Sequence, residues 1–373
     1  MSDRASSDDS RARRGGNAVA QSSAAAFPRA FPLKPARRWR DGNDAVENNL
    51  RARGARRFLF GVMKKTLQEA PGLCHRLGWN EIDPAYLTKL VTLARDEDTA
   101  GTGLCSALRP ARAGDPTTEL NVPKGKRAAA KFVARKPCTL SGLPLIPTIL
   151  EVYGGNVSAK FNFRDGESVP AGTLIGEISG DAAEMLSAER VMLNFVQRMS
   201  GIATQAARYV AALGNSKTRL LDTRKTTPGH RVLDKYAVGC GGAWNHRIGL
   251  FDRLMLKDNH LAADDATAGT RLAELVRHAR TTRPDLLCEV EVDSISQIPP
   301  VLEAGADIIL LDNFSVEDLR KAVALIGDEA WTEISGGVSL ESLPELGTVG
   351  ADFVSSGALT HNVPWIDIGL DWI

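Results

Sequence analysis

Residues 222–260 gather the side chains most able to do chemistry. The stretch reads DTRKTTPGHRVLDKYAVGCGGAWNHRIGLFDRLMLKDNH and holds three of the chain's six histidines, His230, His246 and His260. Seven basic residues lie in it: Arg224, Lys225, Arg231, Lys235, Arg247, Arg253 and Lys257. Four acids oppose them: Asp222, Asp234, Asp252 and Asp258. Cations interleaved with glycine, threonine and short apolar runs do not make a solvated hydrophilic face. They suit a ligand with several negative groups, phosphates or carboxylates, which arginine grips through two parallel N–H donors.

The 373-residue chain has a formal net charge of +1. Residues 1–65 carry 15 Lys/Arg against 6 Asp/Glu, net +9, leaving 31 against 39, net −8, for the remainder. The basic cluster therefore stands out from a mildly acidic body, and no nucleic-acid partner is expected. Residues 1–65 are rich in Arg, Ser, Ala, Gly and Pro, and read as a disordered basic extension. The five cysteines, Cys74, Cys105, Cys138, Cys240 and Cys288, form no CxxC pair. They fit a reducing, cytoplasmic setting without a zinc site. No apolar run reaches the ~18 residues of a transmembrane helix, so no membrane partner is expected.

Positioning such a cluster requires a scaffold, and the chain has two kinds of pattern. Asp83-Pro84 marks a helix start, and residues 126–140 and 156–180 read as strands joined by turns. Asp181 and Glu184 make a capping pair for a long helix, on which Arg190, Asn194 and Arg198 form one polar stripe and Met192, Val196 and Met199 an apolar one. Beyond it a rhythm sets in, short apolar runs ending in polar residues and separated by helical stretches: 218–221, 254–256, 288–292, 307–311, 332–334 and 353–354. Strand–helix alternation of this kind makes a parallel sheet, and polar residues at successive strand ends point to a barrel. Residues 214–359 are too few for a full eight-fold barrel of about 250 residues. The barrel is either incomplete or hides a strand between 235 and 250.

The strand ends bring together Arg224, Lys225, His246, Arg247 and Lys257 with the carboxylates of Glu291 and Asp312. Two small-residue loops, Ser335-Gly336-Gly337 and Ser355-Ser356-Gly357-Ala358, follow the last two strands, where barrels bind phosphate on backbone N–H groups. Glu291 and Asp312 suit Mg²⁺ completed by substrate phosphate, or sugar hydroxyls. A phosphate cup, a carboxylate pair and a separate cation cluster together imply two anionic substrates.

In this order the segments AERVMLNFVQRMSGIAT, DTRKTTPGHR, KYAVGCGGAWNHRIGLFDRLMLKDNH, EVEV, GADIILLDN, EISGG and SSGALTH resemble the quinolinate phosphoribosyltransferases, from about residue 80 to the end. The resemblance implies an α/β protein: an incomplete (β/α) barrel C-terminal domain plus a smaller α/β sandwich N-terminal domain. The organisation expected is 1–65 extension, 66–190 sandwich domain, 191–360 barrel domain, and 361–373 packing back on the N-terminal domain. The implied reaction joins quinolinate to 5-phosphoribosyl 1-pyrophosphate with Mg²⁺, releasing CO₂ and pyrophosphate and yielding nicotinate mononucleotide for NAD biosynthesis. Matching by motif, Thr223, Arg224, His246, Arg247 and Lys257 hold the quinolinate, with Lys225 beside it. Glu291 and Asp312 serve ribose and Mg²⁺. Ser335, Gly336, Gly337, Ser356, Gly357 and Ala358 take the 5′-phosphate. Arg190 reaches the neighbouring subunit's site in a homodimer. Two other readings remain: a related transferase acting on nicotinate or another base, and a non-catalytic phosphosugar or RNA binder. Trp244 departs from the family's smaller turn and bears on the base pocket.

Overall fold

The computed structural model describes residues 73–257 and 269–373; the extension over 1–65 and His260 lie outside them. Asp83 accepts a hydrogen bond from the Ala85 N–H at 2.9 Å and starts the helix Pro84–Ala100, as its Asp-Pro pair implies. Twelve strands follow: β1 (Arg127–Ala134), β2 (Cys138–Thr139), β3 (Val157–Phe161), β4 (Ser168–Val169), β5 (Leu174–Asp181), β6 (Arg219–Leu221), β7 (Leu254–Leu256), β8 (Cys288–Val292), β9 (Ile308–Asp312), β10 (Trp331–Ser335), β11 (Phe353–Ser355) and β12 (Ile368–Trp372).

The first layer is an antiparallel sheet in the order β12-β1-β5-β3. Alternation along β1 buries Ala130, Phe132 and Ala134 on one face, beside Ile175 and Ile178 of β5. The chain's last strand, β12, completes this sheet by pairing with β1 from Ala130–Trp372 to Ala134–Ile368.

The helix Ala182–Leu213 links the two halves and carries core residues of both. Asp181 caps it, accepting from the Ala183 and Glu184 N–H groups at 3.0 and 3.1 Å. Met192, Val196 and Met199 are buried as their spacing implies. The boundary expected at 190/191 falls inside this continuous helix.

The second layer is a six-stranded sheet in the order β6-β11-β10-β9-β8-β7, with every pair parallel. Beyond β6 a single parallel bridge, Leu221 to Trp244, adds a trace of another strand, and Asn245 bridges back to His75. Among the described residues no pairing joins that edge to β7, so the barrel is open. Both sequence expectations hold a part of this: the barrel is incomplete, and residues near 244 supply the hidden segment.

Each strand turns its two faces to different surroundings. Val290, Val292, Ile309, Leu311, Ile334 and Val354 belong to the main hydrophobic core, which also takes in the surrounding helices. On the other face Leu221, Ile308, Trp331 and Phe353 close around Leu73 in a small apolar plug. Further along, that face becomes polar: 331 leads to Glu333 and Ser335, and 308 leads through Leu310 to Asp312. The plug therefore floors the lumen beneath the charged residues. Phe353 is 1% exposed within it. Phe353→Ala is expected to cost about 3–5 kcal/mol in urea unfolding; a loss under about 1 kcal/mol would remove the plug as a support of the fold.

Candidate active site

The loop after β6 is set in place by buried charge. Asp222 is fully buried and accepts from Lys235 Nζ at 2.6 Å, Asn245 Nδ2 at 2.9 Å and the His246 N–H at 2.8 Å. Burial pushes the Asp222 carboxyl up and the Lys235 amine down. The short contact and the two further donors oppose this, and we take the pair as ionised. It ties the end of β6 to the helix Arg231–Cys240 and to the segment carrying His246. On the loop's other flank, Arg198 Nη2 donates to Thr227 Oγ1 at 2.6 Å and to Asp234 Oδ2 at 3.0 Å. The Thr227 N–H reaches the same Asp234 oxygen at 3.0 Å.

The strand ends surround a cavity of about 840 Å³, within the usual size range of a small-molecule site. Thr223, Arg224, Lys225, His246, Arg247 and Lys257 contribute to its lining, as do Glu291 and Asp312. The loops after β10 and β11 supply Ser335, Gly336 and Gly337, then Ser356, Gly357 and Ala358. Of the residues to which the resemblance gives a role in binding or catalysis, all line the cavity except Arg190, which is exposed on the long helix. Lys257 Nζ donates to Glu291 Oε2 at 2.6 Å, and Asn313 Nδ2 donates to Asp312 Oδ2 at 2.6 Å.

The loop glycines are spatial requirements. Gly336 has φ +89°, and a Cβ there would lie 2.2 Å from Asn313 Oδ1. A Cβ on Gly357 would lie 2.8 Å from Lys225 Cδ and displace that side chain. Thr360 Oγ1 further pins the Lys225 carbonyl at 2.7 Å.

The cation wall is charged beyond what the protein itself neutralises. Burial and the adjacent Arg224 guanidinium push Arg247 below its usual value. Arg224 Nη1 is buried and makes no hydrogen bond among the described residues. Two neighbouring guanidiniums, one with a dry, unpaired donor, form a receptor for a planar anion.

Beneath them sits a charged cluster. Arg253 Nη1 donates to Glu289 Oε2 at 2.9 Å, and its Nη2 donates to the Leu73 carbonyl of the plug. His246 Nε2 lies 3.3 Å from both Glu289 and Glu333. Burial alone would depress the imidazole, but the Glu333 and Glu289 carboxylates outweigh it and raise it to about 9. The cluster therefore binds one proton at neutral pH. The Arg247 N–H donates to His246 Nδ1 at 2.7 Å. Both ring nitrogens are thus engaged inside the protein. His246, which the resemblance places on a carboxylate of the substrate, lines the cavity.

Sequence reasoning missed Glu333 and Arg253 as parts of the site and passed over Glu289. An available signal was an acid inside an otherwise apolar strand: Glu289 and Glu333 are 0% and 1% exposed in β8 and β10. Trp244 does not line the cavity. It is sandwiched between the Arg76 and Arg219 guanidiniums, 4.2 and 4.3 Å from its ring centroid.

A family model described as quinolinate phosphoribosyl transferase, C-terminal domain, matches residues 202–371. The N-terminal domain model of the same family matches residues 115–200. The chain belongs to the quinolinate phosphoribosyl transferase family. The probable nicotinate-nucleotide pyrophosphorylase (carboxylating) of Bacillus subtilis is 40% identical over 243 residues, 65% of this chain and 82% of that protein. The nicotinate-nucleotide pyrophosphorylase (carboxylating) of Mycobacterium leprae is 40% identical over 262 residues, 69% of this chain and 90% of that protein. The solved nicotinate-nucleotide pyrophosphorylase of Francisella tularensis superposes with a TM-score of 0.70 at 34% identity, covering 79% of this chain and 98% of that one. In this transferase the two domain models meet within the helix Ala182–Leu213.

The raised proton affinity of the cluster around His246 has a thermodynamic consequence. Because the folded value lies above the ordinary 6.5, its contribution is complete below about 6.5 and lost as pH climbs through about 9. Stability measured by denaturant is expected to fall by on the order of 3 kcal/mol across that window; a flat profile would contradict it.

Proposed function

We infer that the chain transfers the phosphoribosyl group of 5-phosphoribosyl 1-pyrophosphate to quinolinate with decarboxylation. The products are nicotinate mononucleotide, pyrophosphate and CO₂, a step of NAD biosynthesis. One observation carries this choice of base: the juxtaposed Arg224 and Arg247, with the buried, unpaired Arg224 Nη1, suit a second ring carboxylate beyond the one that nicotinate has.

In our reading Arg224, Arg247 and Lys257 hold the two ring carboxylates, with Thr223 at the loop edge and Lys225 between the base and the pyrophosphate. The N–H groups of Ser335, Gly336, Gly337, Ser356, Gly357 and Ala358 receive the 5′-phosphate. Loss of pyrophosphate builds positive charge on the ribose carbon, which the Glu291 and Asp312 carboxylates favour. The same carboxylates, an all-oxygen donor pair lining the cavity, fit a hard divalent cation that keeps water and phosphate oxygens. Glu291 and Asp312 would hold Mg²⁺ there, and its charge would favour the departing pyrophosphate. Quinolinate is positioned so that its nitrogen meets the ribose carbon, and positioning is the main contribution of the cation wall.

The test offers quinolinate and nicotinate in parallel, each with 5-phosphoribosyl 1-pyrophosphate and Mg²⁺. Nicotinate mononucleotide is expected from quinolinate and no turnover of nicotinate; the reverse would assign the cavity to another base.

We also propose a homodimer in which the exposed Arg190 enters the partner's cavity. A cytoplasmic location fits five unpaired cysteines and the absence, among the described residues, of a helix long and apolar enough to cross a membrane. Arg190→Ala and Lys225→Ala are each expected to lose about 100-fold or more in activity. Mixed after subunit exchange, they should regain about a quarter of wild-type activity, because half the dimers then hold one intact site of two. No regain on mixing would place Arg190 outside a shared site.

A further inference from the structure

The reaction inferred above needs a proton at carbon. When the carboxylate beside the ribosylated nitrogen leaves as CO₂, the electron pair of the broken C–C bond stays on the ring carbon. That carbon must then take up a proton. Arginine holds its protons too tightly to serve as a proton donor at neutral pH, and Arg224 and Arg247 are committed to charge.

Glu333 is placed differently. It lines the cavity, is 1% exposed, and neither carboxyl oxygen makes a hydrogen bond among the described residues. His246 Nε2 lies 3.3 Å from Glu333 Oε2. The Arg247 N–H fills His246 Nδ1 at 2.7 Å, so the ring already carries its own proton on Nε2. Glu289 shares His246 Nε2 at 3.3 Å and also accepts from Arg253 at 2.9 Å. His246 Nε2 lies 3.3 Å from both the Glu289 and the Glu333 carboxylates, so a proton bound by the cluster is held between the imidazole and a carboxylate. Of the two carboxylates, Glu333 is the one that lines the cavity. Leu310, which also lines the cavity, follows Glu333 in register on the neighbouring β9. His246, Glu289 and Glu333 could also ring a metal ion. Arg253, 2.9 Å from Glu289 and 3.4 Å from His246 Nε2, already occupies the cation position.

We propose that Glu333, held against His246 in the floor of the cavity, is the acid that protonates the ring carbon freed by decarboxylation. The proposal rests on quinolinate being the substrate. The O–H bond of Glu333 breaks, the proton joins the electron pair left by CO₂, and a C–H bond forms. The Glu333 carboxylate produced is received by the Nε2–H of His246. Solvent returns the proton once the product has left. No oxidant, reductant or further reactant is needed.

The experiment runs the reaction in an equal mixture of H₂O and D₂O and measures the H:D ratio at the new C–H of nicotinate mononucleotide. N-methylquinolinate decarboxylated thermally in the same mixture supplies the ratio for solvent quenching. Wild-type product should differ from that reference. Glu333→Gln should shift to it and lose at least about 10-fold in kcat, while quinolinate KM changes by less than about threefold. Glu333→Asp, which keeps an acid, should retain the enzymatic ratio. A wild-type ratio equal to the reference overturns the proposal whether or not the glutamine variant folds, as does a folded glutamine variant with unchanged ratio and kcat. Failure of the wild type to make nicotinate mononucleotide from quinolinate would instead overturn the functional reading on which the proposal stands.

Discussion

Arg253 is the pivot of this structure. Its guanidinium is 2% exposed, and a cation so deeply buried is tolerable only with partners in place. Glu289 supplies charge from β8, and the Leu73 carbonyl supplies a polar contact from 180 residues away. These bonds tie β8 to the Leu73 segment of the apolar plug.

Above that floor, strand alternation does the sorting. Every second residue of a parallel strand faces the lumen, so the apolar, buried-acid and site levels follow one another two residues apart. The buried acids then act on what lies above. They hold His246 in one orientation, and its ring in turn receives the Arg247 N–H. Arg247 is thereby fixed from below, while Asp222 and Lys235 fix the loop of Arg224 from the side. Preorganisation of this kind lowers the reorganisation a binding site must undergo when charge arrives.

The loops at the rim follow another logic. Gly336 and Gly357 leave room for Asn313 and Lys225, so small size matters there more than flexibility. Phosphate recognition through backbone N–H groups needs this close approach.

The local features of this protein were legible in its sequence. The Asp-Pro helix start, the Asp181 cap, the apolar runs ending in polar residues and the two glycine loops all arise from interactions within a few residues. They sufficed to place Arg224, Lys225, His246, Arg247, Lys257, Glu291 and Asp312 around one cavity. Only the tertiary structure decided that Glu333 and Glu289 meet His246, that Arg253 is buried against Leu73, that Trp244 faces away from the cavity, and that Arg190 is exposed. Charge pairing depends on which neighbours come within about 3–4 Å, and between strands those neighbours are remote in sequence. An acid in an apolar strand announces that it needs a partner; the fold determines which one.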